Sequence, residues 1–281
     1  MRAAVERHIA HEWIERVRPG ERERVRDELA VEEPLEIRVD GEPLAVTMRT
    51  PGEDEELAAG FLAGEGLIAG PGDVVSAGPT DDLAANVVEV RTRMGLRRDP
   101  ASERSFHLTS SCGVCGKAAL EHVRVAAPPP ARGGPDLRAA DVVAAPEAVR
   151  AAQEAFERTG GLHATGLFEV SGGALIAVRE DVGRHNAMDK ALGAQLLAGR
   201  WPLPDVFACL SGRASFELVQ KAALAGLAGI VAVGAPSTLA VSLARERGMV
   251  LCGFARGRGF NVYAGSRRLA DAGRILPAGE E

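Results

Sequence analysis

The chain has 281 residues, with 33 Lys and Arg against 39 Asp and Glu, a net charge of −6. That balance argues against a protein whose main task is gripping nucleic-acid phosphates, although it leaves room for a local cationic pocket. Hydrophobic residues at 46% and charged residues at 26% are ordinary globular proportions, so the chain is expected to fold around a sizeable core.

Residues 1–30 alternate charges without the apolar run of a signal peptide, and they read as a charged, helical or loosely held extension. Leu35-Glu36-Ile37-Arg38-Val39 and Leu44-Ala45-Val46-Thr47-Met48 flank Asp40-Gly41, the pattern of a hairpin. Leu57, Phe61, Leu62 and Leu67 stand near helical spacing behind an acidic first turn, which predicts a helix over Glu53 to Leu67. Val87 to Arg93 alternates weakly, as a strand would. A Pro- and Gly-rich stretch, Pro128 to Pro135, reads as a linker closing a region 31–127. Leu137 to about Arg158 suits a helix interrupted near Pro146 and stopped by Gly160-Gly161.

From there the pattern alternates. Ala174 to Val178, Val206 to Leu210, Ile230 to Val233 and Val250 to Phe254 read as strands; His185 to Leu197, Phe216 to Leu227 and Leu239 to Arg247 read as helices. The alternation predicts an α/β domain over 137–265, a mostly parallel or mixed sheet with helices on both faces, followed by a tail at 266–281. Ala222 to Ala244 carries no charge and has the length of a membrane span, but Gly234 to Thr238 breaks it, so it reads as sheet interior. Ligands of such sheets collect at the carboxyl ends of strands. The loops expected there are Arg179 to Asn186, Ser211 to Ser215, Gly234 to Thr238 and Arg256 to Gly259.

Four segments carry chemistry. Cys112 and Cys115 in Ser-Ser-Cys-Gly-Val-Cys-Gly-Lys precede the helix-forming Ala118-Ala119-Leu120, a setting in which a helix N-terminus and Lys117 would favour a thiolate. A zinc site, for which His107 and His122 are nearby, a redox pair, a carrier thiol and two buried structural thiols all remain open on these residues alone. Cys209 and Cys252 lie inside apolar strand patterns and read as core. Arg179 to Lys190 crowds three acidic and three basic residues with His185 and Asn186 at a turn, either a solvated face or a binding element. Ser211, Gly212, Arg213 and Ser215 open a helix after a strand, an arrangement that can hold an anion. The run Phe254, Ala255, Arg256, Gly257, Arg258, Gly259 sets two arginines beside an aromatic, as either a phosphate grip or a solvated hairpin turn. His163 has half of a zinc-deaminase signature, but Thr165 stands where the required Glu would be.

Taken together and in order, Thr109 to Gly116, Thr159 to Ala164, Arg179 to Lys190, Ser211-Gly212-Arg213 and Gly253 to Tyr263 closely resemble the formate dehydrogenase accessory proteins, the FdhD-type sulfur carriers, from about Val31 to Tyr263. The resemblance implies a cytidine-deaminase-like fold without deaminase chemistry. It implies a cytoplasmic carrier that takes persulfide sulfur from a cysteine desulfurase and passes it to the molybdenum or tungsten bis-molybdopterin guanine dinucleotide cofactor of formate dehydrogenase. By it Cys112 bears the persulfide with Cys115 as partner, while Phe254 to Gly259 meets the cofactor, with Ser211, Gly212, Arg213 and His185 expected alongside. Guanosine diphosphate is then expected to bind as a fragment. A homodimer is expected, without nucleic acid, membrane or resident metal. A thiol-disulfide oxidoreductase and a cofactor chaperone without sulfur transfer are the competing readings. If Cys112 is the carrier, Cys112→Ala abolishes formate dehydrogenase maturation while Cys115→Ala leaves part of it; equal, complete loss in both, measured as formate oxidation in complemented cells, points instead to a shared metal site or disulfide.

Overall fold

The computed structural model describes residues 6–80, 86–97, 136–271 and 273. Cys112, Cys115 and the Pro128 to Pro135 linker lie outside the described residues. In chain order the principal elements are strands β1 (Ile9–Arg18), β2 (Glu21–Ala30), β3 (Glu33–Val39) and β4 (Glu42–Arg49), helix α1 (Asp54–Gly64), then β5 (Val74–Pro79) and β6 (Val87–Thr92). After the undescribed segment follow β7 (Leu137–Arg138), α2 (Ala139–Ala151), α3 (Glu154–Thr159), β8 (His163–Glu169), β9 (Leu175–Asp181), α4 (Arg184–Leu197), β10 (Val206–Leu210), α5 (Phe216–Ala225), β11 (Gly229–Ala232), α6 (Thr238–Glu246), β12 (Val250–Arg256), β13 (Gly259–Ala264) and β14 (Leu269–Ala270).

The central sheet has six strands in the order β13-β12-β11-β10-β8-β9. β10, β11 and β12 are parallel, while β8 runs antiparallel to both β10 and β9, and β13 antiparallel to β12. The sheet is therefore mixed, yet β9, β10, β11 and β12 all point the same way and end at one edge. Successive residues of a strand face opposite sides. Val206, Ala208 and Leu210 accordingly pack with α4, α5 and α6, whereas Phe207 and Cys209 pack with Val142, Ala145 and Val149 of α2. Helices cover both faces, which is why these strands read as unbroken apolar runs. The uncharged stretch from Ala222 to Ala244 is the end of α5, β11 and the start of α6; among the described residues no helix is long and apolar enough to cross a membrane.

A second sheet, ordered β4-β3-β6-β5, packs its apolar face on Leu57, Leu62 and other α1 residues. α1 in turn lies against α4. A Cβ on Gly60 would collide with the Asp189 carbonyl and one on Gly193 with the Glu56 carbonyl, so the two helices cross backbone to backbone at a pair of glycines.

Three expectations are corrected. Residues 9–30 are neither helical nor loose: β1 and β2 form an antiparallel hairpin in unbroken register from Ile9↔Ala30 to Arg18↔Glu21, turning at Pro19-Gly20. The charge alternation is that of a ribbon with polar residues on both faces, tied at its base by Arg158, which pairs with Glu28 and Glu6. His163–Glu169 is a strand that the sequence reading left out, because Gly166 interrupts its β-forming residues; that glycine is needed where Val149 and Phe168 press in. The helix read over Leu137 to Arg158 is a short strand and two helices, broken at Ala152-Gln153 rather than at Pro146, which α2 carries in its interior.

The α1–α4 contact buries charge. Lys221 of α5 lies 2.8 Å from Asp189 and 3.5 Å from Glu65, with its ammonium 5.5 Å from the Phe61 ring. Burial lifts the Asp189 carboxyl to about 6, against the partial opposition of Lys221. Burial also disfavours the Lys221 charge, but Asp189 and Glu65 outweigh it and raise that pKa. A carboxyl whose folded pKa exceeds its unfolded one contributes most at low pH, and its contribution declines as pH rises from about 4 to about 6. Lys221→Met leaves two buried carboxyls without their cation. It is expected to lose roughly 3 to 5 kcal/mol of unfolding free energy at neutral pH, with a larger loss at alkaline than at acidic pH, read from urea midpoints across a pH series.

Candidate functional site

Because β9 to β12 end together, the four loops expected at the ligand edge do converge there. The N-terminus of β8 joins them. The isolated bridge Ala214↔Pro236 and the hydrogen bonds Gly234 N to Gly212 O (2.9 Å) and Phe254 N to Gly234 O (3.1 Å) stitch the loops into one surface. Beneath it, between the sheet and α2–α3, lies a cavity of about 700 Å³. Its floor is Cys209, Val233 and Ala255, its wall includes Arg150, Gln153 and Phe156, and its rim carries His163, Ser211, Arg256 and Gly257. A mostly apolar hollow with few polar groups at its mouth, of a size on the order of 300–1,000 Å³, is the common form of a small-molecule site.

The expected site residues are not all in one place. Ser211, Ala255, Arg256 and Gly257 line this cavity. The Ser211 hydroxyl accepts the Ala164 N–H at 2.8 Å, which pins the β10 loop to β8. Gly212 lies against the His163 imidazole, where a Cβ would stand 3.5 Å from Nδ1. Arg213 is exposed and packs its stem on Gly234. Arg256 to Gly259 is a hairpin turn, with Arg256 opposite Gly259 and Gly257 at φ 61°, and both arginines are exposed. Phe254 stands at φ 52° with 40% of its surface exposed, beside the register shift that the β12–β13 pair makes there. A bulky residue in the left-handed region is costly, and such residues cluster at functional sites. His185 is apart from the cavity: it is buried, with Nε2 3.3 Å from Ser215 Oγ and 3.9 Å from Glu217.

The charged run from Arg179 to Lys190 is not a solvated face. Lys190 is fully buried, 2.9 Å from Asp181 and donating to the Thr50 carbonyl at 2.8 Å. Asp181 also accepts from Thr50 N, Gly183 N and Asn186 Nδ2, and Asn186 donates to the Met48 carbonyl. Arg179 forks onto Glu56 at 2.5 and 2.8 Å. Glu180 accepts the Ala155 and Phe156 amides at the start of α3, and burial raises its pKa. These residues bind the β4–α1 segment and α3 to the central sheet, a role the local sequence did not reveal.

Two further residues stand at this edge. His163 begins β8, and its pKa is lowered by burial and by Arg184 and Arg213, against the opposing pull of Asp181. Arg184 opens α4 inside the charged run. The α2–α3 wall had no motif to announce it, since Arg150 and Phe156 meet the cavity only by packing of helices against the sheet, with the guanidinium 4.8 Å over the ring. Among the described residues no group of three His, Cys, Asp or Glu could hold a metal ion.

This is an α/β protein with a cavity at the strand ends that carries arginines in its lining. Residues 30–270 match the model of the FdhD/NarQ family, and the chain belongs to that family. It is 50% identical over 268 residues to the sulfur carrier protein FdhD of Streptomyces avermitilis, covering 91% of this chain and 93% of the relative. It is 49% identical over 252 residues to the sulfur carrier protein FdhD of Mycobacterium tuberculosis, covering 86% of this chain and 91% of the relative. The fold is similar to that of a crystal structure titled as a formate dehydrogenase accessory protein from Desulfotalea psychrophila, with a TM-score of 0.77 at 24% identity, covering 94% of this chain and all of the other.

Cys209, on the cavity floor, and Cys252 are fully buried, and burial alone pushes each thiol up to about 12. Neither can serve as a thiolate nucleophile at neutral pH. Iodoacetamide on the native protein is therefore expected to spare both and to modify them after denaturation, as read by peptide mass mapping.

Proposed function

We propose that this chain is a sulfur carrier for formate dehydrogenase: it accepts persulfide sulfur from a cysteine desulfurase and delivers it to the bis-molybdopterin guanine dinucleotide cofactor, carrying molybdenum or tungsten, as its cargo. The observation that carries the reading is half identity to sulfur carrier proteins over nine-tenths of the chain, with Cys112-Gly-Val-Cys115 inside the family span. Loading is a thiol exchange. The Cys112 thiolate attacks the outer sulfur of the desulfurase persulfide, a Cys112 persulfide forms, and the desulfurase thiolate leaves. In delivery the Cys115 thiolate, replaced less efficiently by a cellular thiol where Cys115 is absent, attacks the Cys112 sulfur, the terminal sulfur departs as hydrosulfide, and a disulfide is left at Cys112. The two electrons that turn sulfane sulfur into sulfide thus come from the cysteine pair, and a cellular thiol reductant restores it.

The strand-end edge fits such a cargo. Phosphates need unpaired cations, which Arg213, Arg256 and Arg258 offer, and a base needs an apolar slot, which the cavity below supplies. Phe254, strained and exposed beside these arginines, offers a ring. The chain would act in the cytoplasm, where its thiols stay reduced, and as a homodimer meeting desulfurase and formate dehydrogenase in turn.

The test is intact mass after incubation with a cysteine desulfurase and free cysteine. One added sulfur atom, reversed by reductant and mapped to Cys112, is expected. No adduct, or adducts spread over all accessible thiols, overturns the carrier reading in favour of a cofactor chaperone; rapid disulfide exchange with a dithiol substrate and no sulfur gain would favour the oxidoreductase.

A further inference from the structure

The β1–β2 ribbon lines no part of the cavity. Its ten residue pairs give it a length of about 30 Å. From the pair Glu12↔Asp27 to the turn, no hydrogen bond or ion pair joins it to another element among the described residues. A two-stranded ribbon standing alone in water is marginally stable at best. All but its last residue precede the span 30–270 that matches the family model, so family membership assigns it no task.

Its two faces differ. Residues directly opposite one another share a face, and the faces alternate along the strands. One face carries His11 with Glu28, Trp13 with Arg26, Glu15 with Arg24 and Val17 with Arg22. On it Trp13 and Val17 are 61% and 64% exposed, and the Arg24 guanidinium stands 5.2 Å over the indole ring. Both carboxylates of this face are engaged, Glu28 by Arg158 at 2.6 Å and Glu15 by Arg22 at 3.3 Å. Arg24 and Arg26 are left without an ion pair among the described residues. The opposite face pairs its arginines internally, Arg16 with Glu23 and Arg18 with Glu21 and Glu23, and sets Glu12 against Asp27. One face is therefore cationic and aromatic, the other acidic.

The ribbon is rooted on the cavity wall. α3 packs on β2, its Arg158 holds Glu28, and a Cβ on Gly161 would stand 3.2 Å from that of Ala30. Phe156 of α3 and Gly161 both line the cavity. The face that carries Trp13 is the one that meets α3, through Glu28.

We propose that this face is a docking surface for the enzyme that receives the cargo, formate dehydrogenase, through a patch of that enzyme where acidic side chains surround an apolar pocket. The proposal rests on the reading of this chain as a carrier for formate dehydrogenase and adds the place of contact. Trp and Arg dominate many protein contacts, because each buries a large area while keeping a polar or charged end. Trp13 fills the pocket, and Arg24 and Arg26 meet its acidic rim. The two cations give a chain of net charge −6 a local face that attracts an acidic partner. A partner held on the ribbon stands beside the cavity whose wall carries it, where cargo would pass from one protein to the other.

Surface plasmon resonance tests this, with the full chain and formate dehydrogenase isolated from cells that lack this carrier. Wild type is expected to bind, less tightly as salt rises. Trp13→Ala should weaken binding about tenfold, chiefly through faster dissociation, and Trp13→Phe should recover part of the loss. Arg24→Glu combined with Arg26→Glu should weaken it about tenfold or more, chiefly through slower association, and should remove most of the salt dependence. Arg16→Ala, on the opposite face, should leave both rates as in wild type. A desulfurase should load Cys112 equally in every variant, and formate oxidation in complemented cells should fall with the affinity. Rates equal to wild type in Trp13→Ala and in the double reversal overturn the docking face, as does a wild type that loads sulfur but has no affinity for the dehydrogenase. Equal losses against the desulfurase give the face to that enzyme, and a changed mass of the free variants in light scattering gives it to a second copy of this chain; either overturns the proposal. If Cys112 takes up no sulfur while the ribbon variants still lose the dehydrogenase, the carrier reading fails and the docking face stands.

Discussion

Everything at the ligand edge hangs on the crossing of α1 and α4. Gly60 and Gly193 let the two backbones touch, and that contact has no slack, because any side chain at either position would enter a carbonyl of the other helix. The closeness brings Glu56 within reach of Arg179, and Glu65 and Asp189 within reach of Lys221. Close packing of this kind transmits position rather than absorbing it. α4 begins three residues after Asp181, the last residue of β9, so fixing the helix also fixes where Arg184 leaves the strand-end edge.

The same geometry explains how charge is distributed. Buried ions are tolerated only when each meets opposite charge and hydrogen bonds. Asp181 and Lys190 satisfy this by binding one another and the Thr50 backbone, and they thereby clasp the four-stranded sheet to the six-stranded one. The acidic residues nearest the core are consumed in these clasps. What remains at the strand ends is cationic, and the molecule carries a positive pocket despite its negative total. A neutral His163 belongs to that setting, since its ring lies in the field of the guanidiniums that the clasp leaves unpaired.

On the proposed reading, the sulfur chemistry and the cargo chemistry occupy different parts of the chain. Cys209 and Cys252 stand directly in line across β10, β11 and β12 through Val231, but burial makes them core residues. The division has a physical logic: a cysteine that must exchange sulfur with another protein cannot be built into a sheet interior, whereas phosphates are well held on a rigid edge of strand ends and helix starts.

Much of the central sheet was legible in advance, because strands covered on both faces give apolar runs such as Val206 to Leu210 and helices give their own period. The Ser211 loop and the Arg256–Arg258 turn stand at the strand ends where their short local patterns put them. The β1–β2 hairpin was not, since alternating charge on a ribbon with both faces wet has no apolar phase to read. Nor could the residues between Arg179 and Lys190 declare themselves internal. Whether an Asp or Lys is solvated or buried depends on what packs against it, and here the partners are Thr50, Glu53 and Glu56, more than a hundred residues earlier. Sequence alone determined the class of fold, the family and the local motifs, which are set by neighbours along the chain. Tertiary structure decided which charges pair and which stay free at the ligand edge, because burial and ion pairing are properties of residues brought together only by folding.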